Sequence, residues 1–208
     1  INASIKQLTS SLASIGATAG KLLGAVGITV GIAALARLGQ EGVKAAMQME
    51  GAQKSLQFLT NATGRSFQTA NNFVQQFIAD GLVPAADAYE AYKNMVARGY
   101  DTSQIEQMLN VMKDSAVYGR QAGFEIGEAI VKTSQGLRME NSILTDSVGI
   151  QKNVAKMWYE YAKSIGTTTN RLTDAQKRQA EFNGFMAEGG VYAGAAAQYA
   201  QSYAGRVS

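Results

Sequence analysis

The sequence predicts an all-α protein: a compact multi-helix domain carrying a glycine-rich, apolar N-terminal helical arm. Apolar residues recur at spacings of three and four along most of the chain, a single proline (Pro84) interrupts it, and no run keeps the period of two that a half-buried strand requires. Cysteine and histidine are both absent. Their absence removes thiolate nucleophiles, imidazole general bases and the usual zinc ligand sets, leaving carboxylate, Lys, Ser/Thr or Tyr chemistry. It also leaves the redox compartment open. A net charge of +3 is too small to supply the basic stripe of a nucleic-acid binder, and no cofactor or metal site is expected.

Residues 1–60 read as the arm, 61–190 as the compact helical domain and 191–208 as an Ala- and Tyr-rich helical tail. Residues 1–40 contain Lys6, Lys21 and Arg37 but no acid. Ile5, Leu8, Leu12, Ile15, Ala19, Leu22 and Val26 alternate spacings of three and four. This is the pattern of a coiled-coil seam, with Ile5, Leu8, Leu12, Ile15, Leu22 and Val26 as the expected oligomer contacts, or of one buried face of an ordinary amphipathic helix. Residues 22–36, LLGAVGITVGIAALA, carry no charge. As a helix this run spans about 22 Å, short of the ~30 Å hydrocarbon core of a bilayer, and an extension over residues 15–38 includes Lys21 and Arg37 near its ends. Gly16, Gly20 and Gly24, then Gly27 and Gly31, fall at small-xxx-small spacing and let helices approach closely. Two readings stand for this segment: a glycine-rich helix buried against neighbours, or a membrane-inserting one. The start at Ile1 and the final GRVS read as an excised piece of a longer chain, and no signal peptide is apparent.

Beyond a polar stretch over residues 40–57, short amphipathic helices with punctuated ends are expected. Phe67, Ala70, Phe73, Val74, Phe77 and Ile78 share a face that begins after Ser66 and stops at Asp80-Gly81. Pro84 suits the first turn of a helix that turns Ala88, Tyr92, Met95 and Val96 inward and ends at Gly99. Ser103 and Glu106 read as a capping box ahead of Ile105, Met108, Leu109, Met112 and Ala116. Val154, Met157, Trp158, Tyr161 and Ile165 form a stripe ending at Gly166, and Thr173 with Gln176 opens a helix holding Phe182, Phe185 and Met186. Residues 189–204 read as a further helix, or as a hinge followed by one, whose Tyr192, Tyr199 and Tyr203 either pack against a partner or belong to a simple surface helix.

The chain carries few residue patterns that point to chemistry. The glycines form neither a phosphate-cradling loop nor a dinucleotide fingerprint. Glu125 and Glu128, with Glu140 nearby in sequence, have the residue types of a paired-carboxylate hydrolase, but exposed helix acids share that spacing and no catalytic residue is assigned. Asn141, Ser142 and Asp146 read as a polar loop that caps the helix after it.

Residues 99–190 contain, in order, YGRQAG (118–123), EAI with a following QG (128–136), NSILTDSVGI (141–150), MWYEYAKSIG (157–166) and LTDAQKRQAEFNG (172–184). In order and spacing this series resembles the phage tail tape-measure family. The resemblance implies a helical, non-enzymatic protein of the virion, present as a few parallel copies inside the tail tube, which sets tail length and leaves ahead of the genome at ejection. It further implies contacts with tail tube, tail tip and hub proteins and assembly chaperones. The expected places are the host cytoplasm during tail assembly and the host envelope, through membrane insertion, during infection. Nothing in the chain resembles the long repetitive coiled-coil ruler or the wall-hydrolase modules of some members. Two alternatives come from other classes: a membrane-active helical pore-forming protein, resting on residues 15–38, and an envelope-degrading enzyme, resting on the acid pairs.

Overall fold

The computed structural model describes residues 32–207, and every regular element among them is helical, as the periodicity predicts. The chain divides into two units, Ile1–Gln48 and Met49–Ser208. In the first, residues 42–48 are exposed. The arm's seam positions Ile5, Leu8, Leu12, Ile15, Leu22 and Val26 and its glycines Gly16, Gly20, Gly24, Gly27 and Gly31 all lie outside the described residues. Among the described residues no helix is long and apolar enough to cross a membrane.

Helix α1 runs Ile32–Ala62, and its last turns belong to the second unit, where Leu56 and Thr60 are buried and Ala52 and Leu59 pack against the core. The remaining helices are α2 (Phe67–Phe77), α3 (Ala85–Arg98), α4 (Thr102–Gly119), α5 (Ile126–Arg138), a single turn α6 (Ser142–Thr145), α7 (Val154–Ser164), α8 (Asp174–Gly189) and α9 (Ala195–Val207). Several starts have a local cause. Ser66 accepts the Thr69 amide at 3.2 Å, Asn153 accepts that of Lys156 at 2.8 Å, and Thr173 and Gln176 form the expected reciprocal pair. Each such side chain satisfies an amide that the first helical turn cannot pair internally. Helix α3 starts after Pro84 and closes on Gly99 at φ +94°, a left-handed turn that glycine enters without a Cβ clash.

Two expectations about helix starts are corrected. The capping box of α4 is Asp101 with Gln104, not Ser103 with Glu106: Asp101 accepts the Gln104 amide at 2.8 Å, and Gln104 Oε1 accepts the Asp101 amide at 3.2 Å. The turn after Gly99 leaves Asp101 already extended (φ −73°, ψ 166°), so the helix begins at Thr102 and Ser103 lies inside it, accepting from Gln107 instead. Likewise the cap of α7 is Asn153, because the segment Asn141 to Val148 is spent on α6 and a 3₁₀ turn folded against α5.

Helix α4 is the core's axle, packing against α2, α3, α5, α8 and α9. Its predicted stripe, Ile105, Met108, Leu109, Met112 and Ala116, is fully buried, as are Ala88, Tyr92, Met95 and Val96 of α3. Full burial stabilises by roughly 1.5–3 kcal/mol for each Leu, Ile or Met. The later stripes are half right: Val154, Met157 and Phe185 are buried, Trp158 and Phe182 are half-buried, and Ile165 is 44% exposed where α7 runs out. A polar tie closes the other end. Tyr89 donates to Asn71 at 2.6 Å and accepts from Gln75 at 2.9 Å, while Gln53 reaches the same Asn71 oxygen at 3.2 Å, joining α1, α2 and α3.

Small residues set how closely these helices approach. A Cβ on Gly127 would strike Pro84 and Asp87, so α5 lies directly on the start of α3. A Cβ on Gly149 would run into the backbone of Gly119, and Gly149 also holds φ +91°, so only glycine satisfies both conditions. Gly149→Ala should therefore cost about 3 kcal/mol through strain and overpacking. Gly51→Ala, at a helix-interior position with open space around it, should add about 0.5–1 kcal/mol. Urea denaturation followed by far-UV circular dichroism checks both, and equal effects at the two positions would contradict the packing described.

Candidate functional site

The most unusual chemistry in the fold is a carboxylate without solvent. Glu181, on α8, is 0% exposed and sits on the face that carries Phe185 one turn later. Both its oxygens are saturated. Oε1 accepts from Arg98 Nη2 at 2.7 Å and from Trp158 Nε1 at 2.9 Å; Oε2 accepts from Arg98 Nε at 3.3 Å and from the Tyr100 hydroxyl. Four donors from the end of α3, the α3–α4 link and α7 thus converge on one side chain of α8. A buried charge is tolerated when it is paired and its lone pairs are filled, and both conditions hold.

The cluster extends outward in layers. Arg98 also meets Glu140 at 3.0 Å, and Lys177 reaches Glu140 at 3.5 Å while lying 4.6 Å over the Trp158 ring. Glu140 holds φ +53°, the one positive value at a non-glycine among the described residues. Burial opposes the charge of Arg98, but the hydrogen bond and charge of Glu181 more than offset it, leaving its pKa raised. Burial first, then the charge and hydrogen bond of Glu181, hold the Tyr100 hydroxyl well above its usual value. Nearby, burial and the Glu106 carboxylate push Tyr92 up to about 12, against Arg65 and a hydrogen bond with Thr102.

A second inward cation lies further along α4. Lys113 donates to the Phe77 carbonyl and to Asp80, both at 2.6 Å, and lies 4.6 Å over the Phe77 ring. It therefore caps the carboxyl end of α2, where the helix dipole favours a positive charge. Between α7 and α8 lies an open groove of about 210 Å³, lined by Met157, Tyr161 and Gly184 and bridged by Lys152 to Glu160 and Glu188, each at 3.1 Å. Among the described residues no group of three acids could hold a metal ion.

What this arrangement does is hold helices. A carboxylate whose oxygens each accept two donors has no lone pair left to take a proton from a substrate. Glu125 and Glu128 are exposed at the start of α5, and Glu140 is engaged by Arg98 and Lys177, so the three acids considered from sequence do not converge on one another's hydrogen-bond partners. Tyr192 and Tyr199 are half-buried against this chain's own core, Tyr199 edge-on to Tyr118 at 6.5 Å. The Tyr203 side chain lies outside those described.

Glu181, Arg98, Tyr100 and Lys113 escaped the sequence reading, although two of them left a trace. Glu181 lies four residues before Phe185, and Lys113 lies midway between Leu109 and Val117, so each is a charge in an apolar stripe. Compared with known protein families, curated proteins and solved structures, the chain matches none.

Two outcomes follow from the cluster. Glu181→Ala should lower unfolding free energy by about 3–5 kcal/mol, since it leaves a buried guanidinium, hydroxyl and indole unpaired. Glu125→Ala and Glu128→Ala should stay within about 0.5 kcal/mol. Denaturation of the three variants side by side checks this, and a mild Glu181 effect would contradict the clamp. The tyrosines set the alkaline limit. Their folded pKa values lie above the unfolded value of ~10, so the unfolded chain releases these protons first, and stability falls as pH rises past ~10. Tyr92→Phe and Tyr100→Phe should each make the decline between pH ~10 and ~12 shallower, and unchanged slopes would refute the assignment.

Proposed function

We propose that the chain is a structural segment of a phage tail tape-measure protein, acting in tail length determination, tail assembly and genome delivery through the host envelope. The observation that carries the proposal is the ordered series of five segments within residues 99–190. Where those segments fall in the fold supports it as scaffolding. In YGRQAG, Arg120 turns back to the Ala116 and Val117 carbonyls at 3.0 and 2.8 Å and to that of Phe124 at 2.9 Å, closing α4 and shaping the loop to α5. Gly136, ending QG, has no room for a Cβ beside Leu144 and Asn141 of NSILTDSVGI, and Gly149 of that segment touches Gly119. MWYEYAKSIG supplies Met157, which fills the space over Gly184, and Trp158, which binds Glu181; LTDAQKRQAEFNG supplies Glu181, Gly184 and the Thr173–Gln176 cap.

On this reading the segments encode joints of a helical core rather than a reactive site. The protein acts as a few parallel copies within the tail tube, meeting tube, tip and hub proteins and assembly chaperones, and reaching the host envelope on infection. Quantitative mass spectrometry of tails purified from particles that encode this chain provides the test. A small, fixed number of copies per tail is expected, and absence of the chain from the particles would sink the proposal.

A further inference from the structure

Helix α9 joins the core through a glycine-bounded turn and a cap supplied from a distant helix. Helix α8 ends at Gly189, a 3₁₀ turn spans Gly190–Tyr192, and Gly194 at φ +82° precedes α9. Neither Gly190 nor Gly194 has anything within 4 Å of where a side chain would start, while Tyr192 between them packs against the core. The first amides of α9 receive no side-chain cap from their own neighbourhood, where the residues are Ala193, Gly194, Ala195 and Ala196. Asp114, from the middle of α4, supplies it instead: its Oδ2 accepts the Gly194 amide and its Oδ1 the Ala196 amide, both at 2.9 Å. Such a carboxylate at a helix start meets both unpaired amides and the positive end of the dipole.

Apolar burial adds little to this hold. Among the described side chains of α9 only Ala195 and Ala196 are buried, Tyr199 and Ala200 are half-buried, and the aromatic partner of Tyr199, Tyr118, is itself 66% exposed. Ala197, Gln198, Gln201 and Ser202 face solvent. Two alanines bury little apolar surface compared with the stripes of α3 and α4, and segments with few buried apolar contacts open at lower free energy than the whole domain. We infer that α9 is a strap that swings away from α4 as a unit on the Gly190–Gly194 hinge while the rest of the core stays folded, with Asp114 as its latch. The Ala-rich helix therefore has two states, one laid back on α4 and one leading away from it.

Hydrogen–deuterium exchange of the full chain, read by mass spectrometry, tests the strap, with Trp158 fluorescence in urea as the reporter of the core. In the unsubstituted protein, peptides within 190–202 should exchange at least tenfold faster than those of α4 and α5. Asp114→Ala should speed exchange of 190–202 by a further factor of roughly ten, the loss expected for hydrogen bonds to a charged group, and leave the Trp158 transition in place. Asp114→Asn, which keeps one acceptor oxygen, should fall between. Exchange of 190–202 in step with α4 and α5 in the unsubstituted protein would overturn the inference, as would an Asp114→Ala variant whose Trp158 transition shifts along with its strap.

Discussion

Burying one carboxylate fixes the geometry of the second half of this fold. Glu181 cannot be left in an apolar interior without donors, and the donors available are a guanidinium at the end of α3, a hydroxyl in the α3–α4 link and an indole on α7. Their simultaneous arrival requires α3 to end where Gly99 ends it, α4 to start where Asp101 starts it, and α7 to present Trp158 rather than Tyr159 toward α8. Hydrophobic burial supplies the bulk of the stabilisation but is non-directional, whereas this cluster tolerates one arrangement. Lys113 repeats the device further along α4, tying it to the close of α2.

Glycine does complementary work where helices cross. Gly127 brings α5 onto the start of α3, Gly184 admits Met157 between α7 and α8, and Gly119 with Gly149 lets two backbones touch. Each close approach turns a lost side chain into dispersion contacts for the partner helix, a gain felt only when the opposing surface is correctly placed. Directional polar clamps and glycine crossings thus require the same arrangement, and the aliphatic stripes fill the volume between them.

Much of this was legible from residue order alone. Helix class, the stripes of α2, α3 and α4, and the stops at Gly99 and Gly166 follow from a period of 3.6 and from glycine's access to positive φ, both of which are local properties. The cap of α4 was misplaced because Asp101–Gln104 and Ser103–Glu106 both satisfy the same four-residue pattern, and the choice depends on where the preceding helix ends. The clamp was not legible because its members are far apart in sequence. Arg98 and Glu181 stand 83 residues apart, and nothing at either position names the other. The same holds for the Asp114 latch, whose partners are backbone amides 80 and 82 residues away. Oxygens and amides pair by topology, which a periodic pattern does not contain.

Glu181 and its donors form one cooperative unit and not a set of independent contacts, and a double-mutant cycle over Arg98 and Glu181 measures that coupling. Unfolding free energies of Arg98→Met, Glu181→Leu and the pair would be measured in urea by far-UV circular dichroism. Each single change strands a buried partner, while the double change removes the charge together with its countercharge. The double variant should be destabilised by far less than the sum of the singles, with a coupling of about 1.5 kcal/mol or more. Additivity within about 0.5 kcal/mol would contradict it.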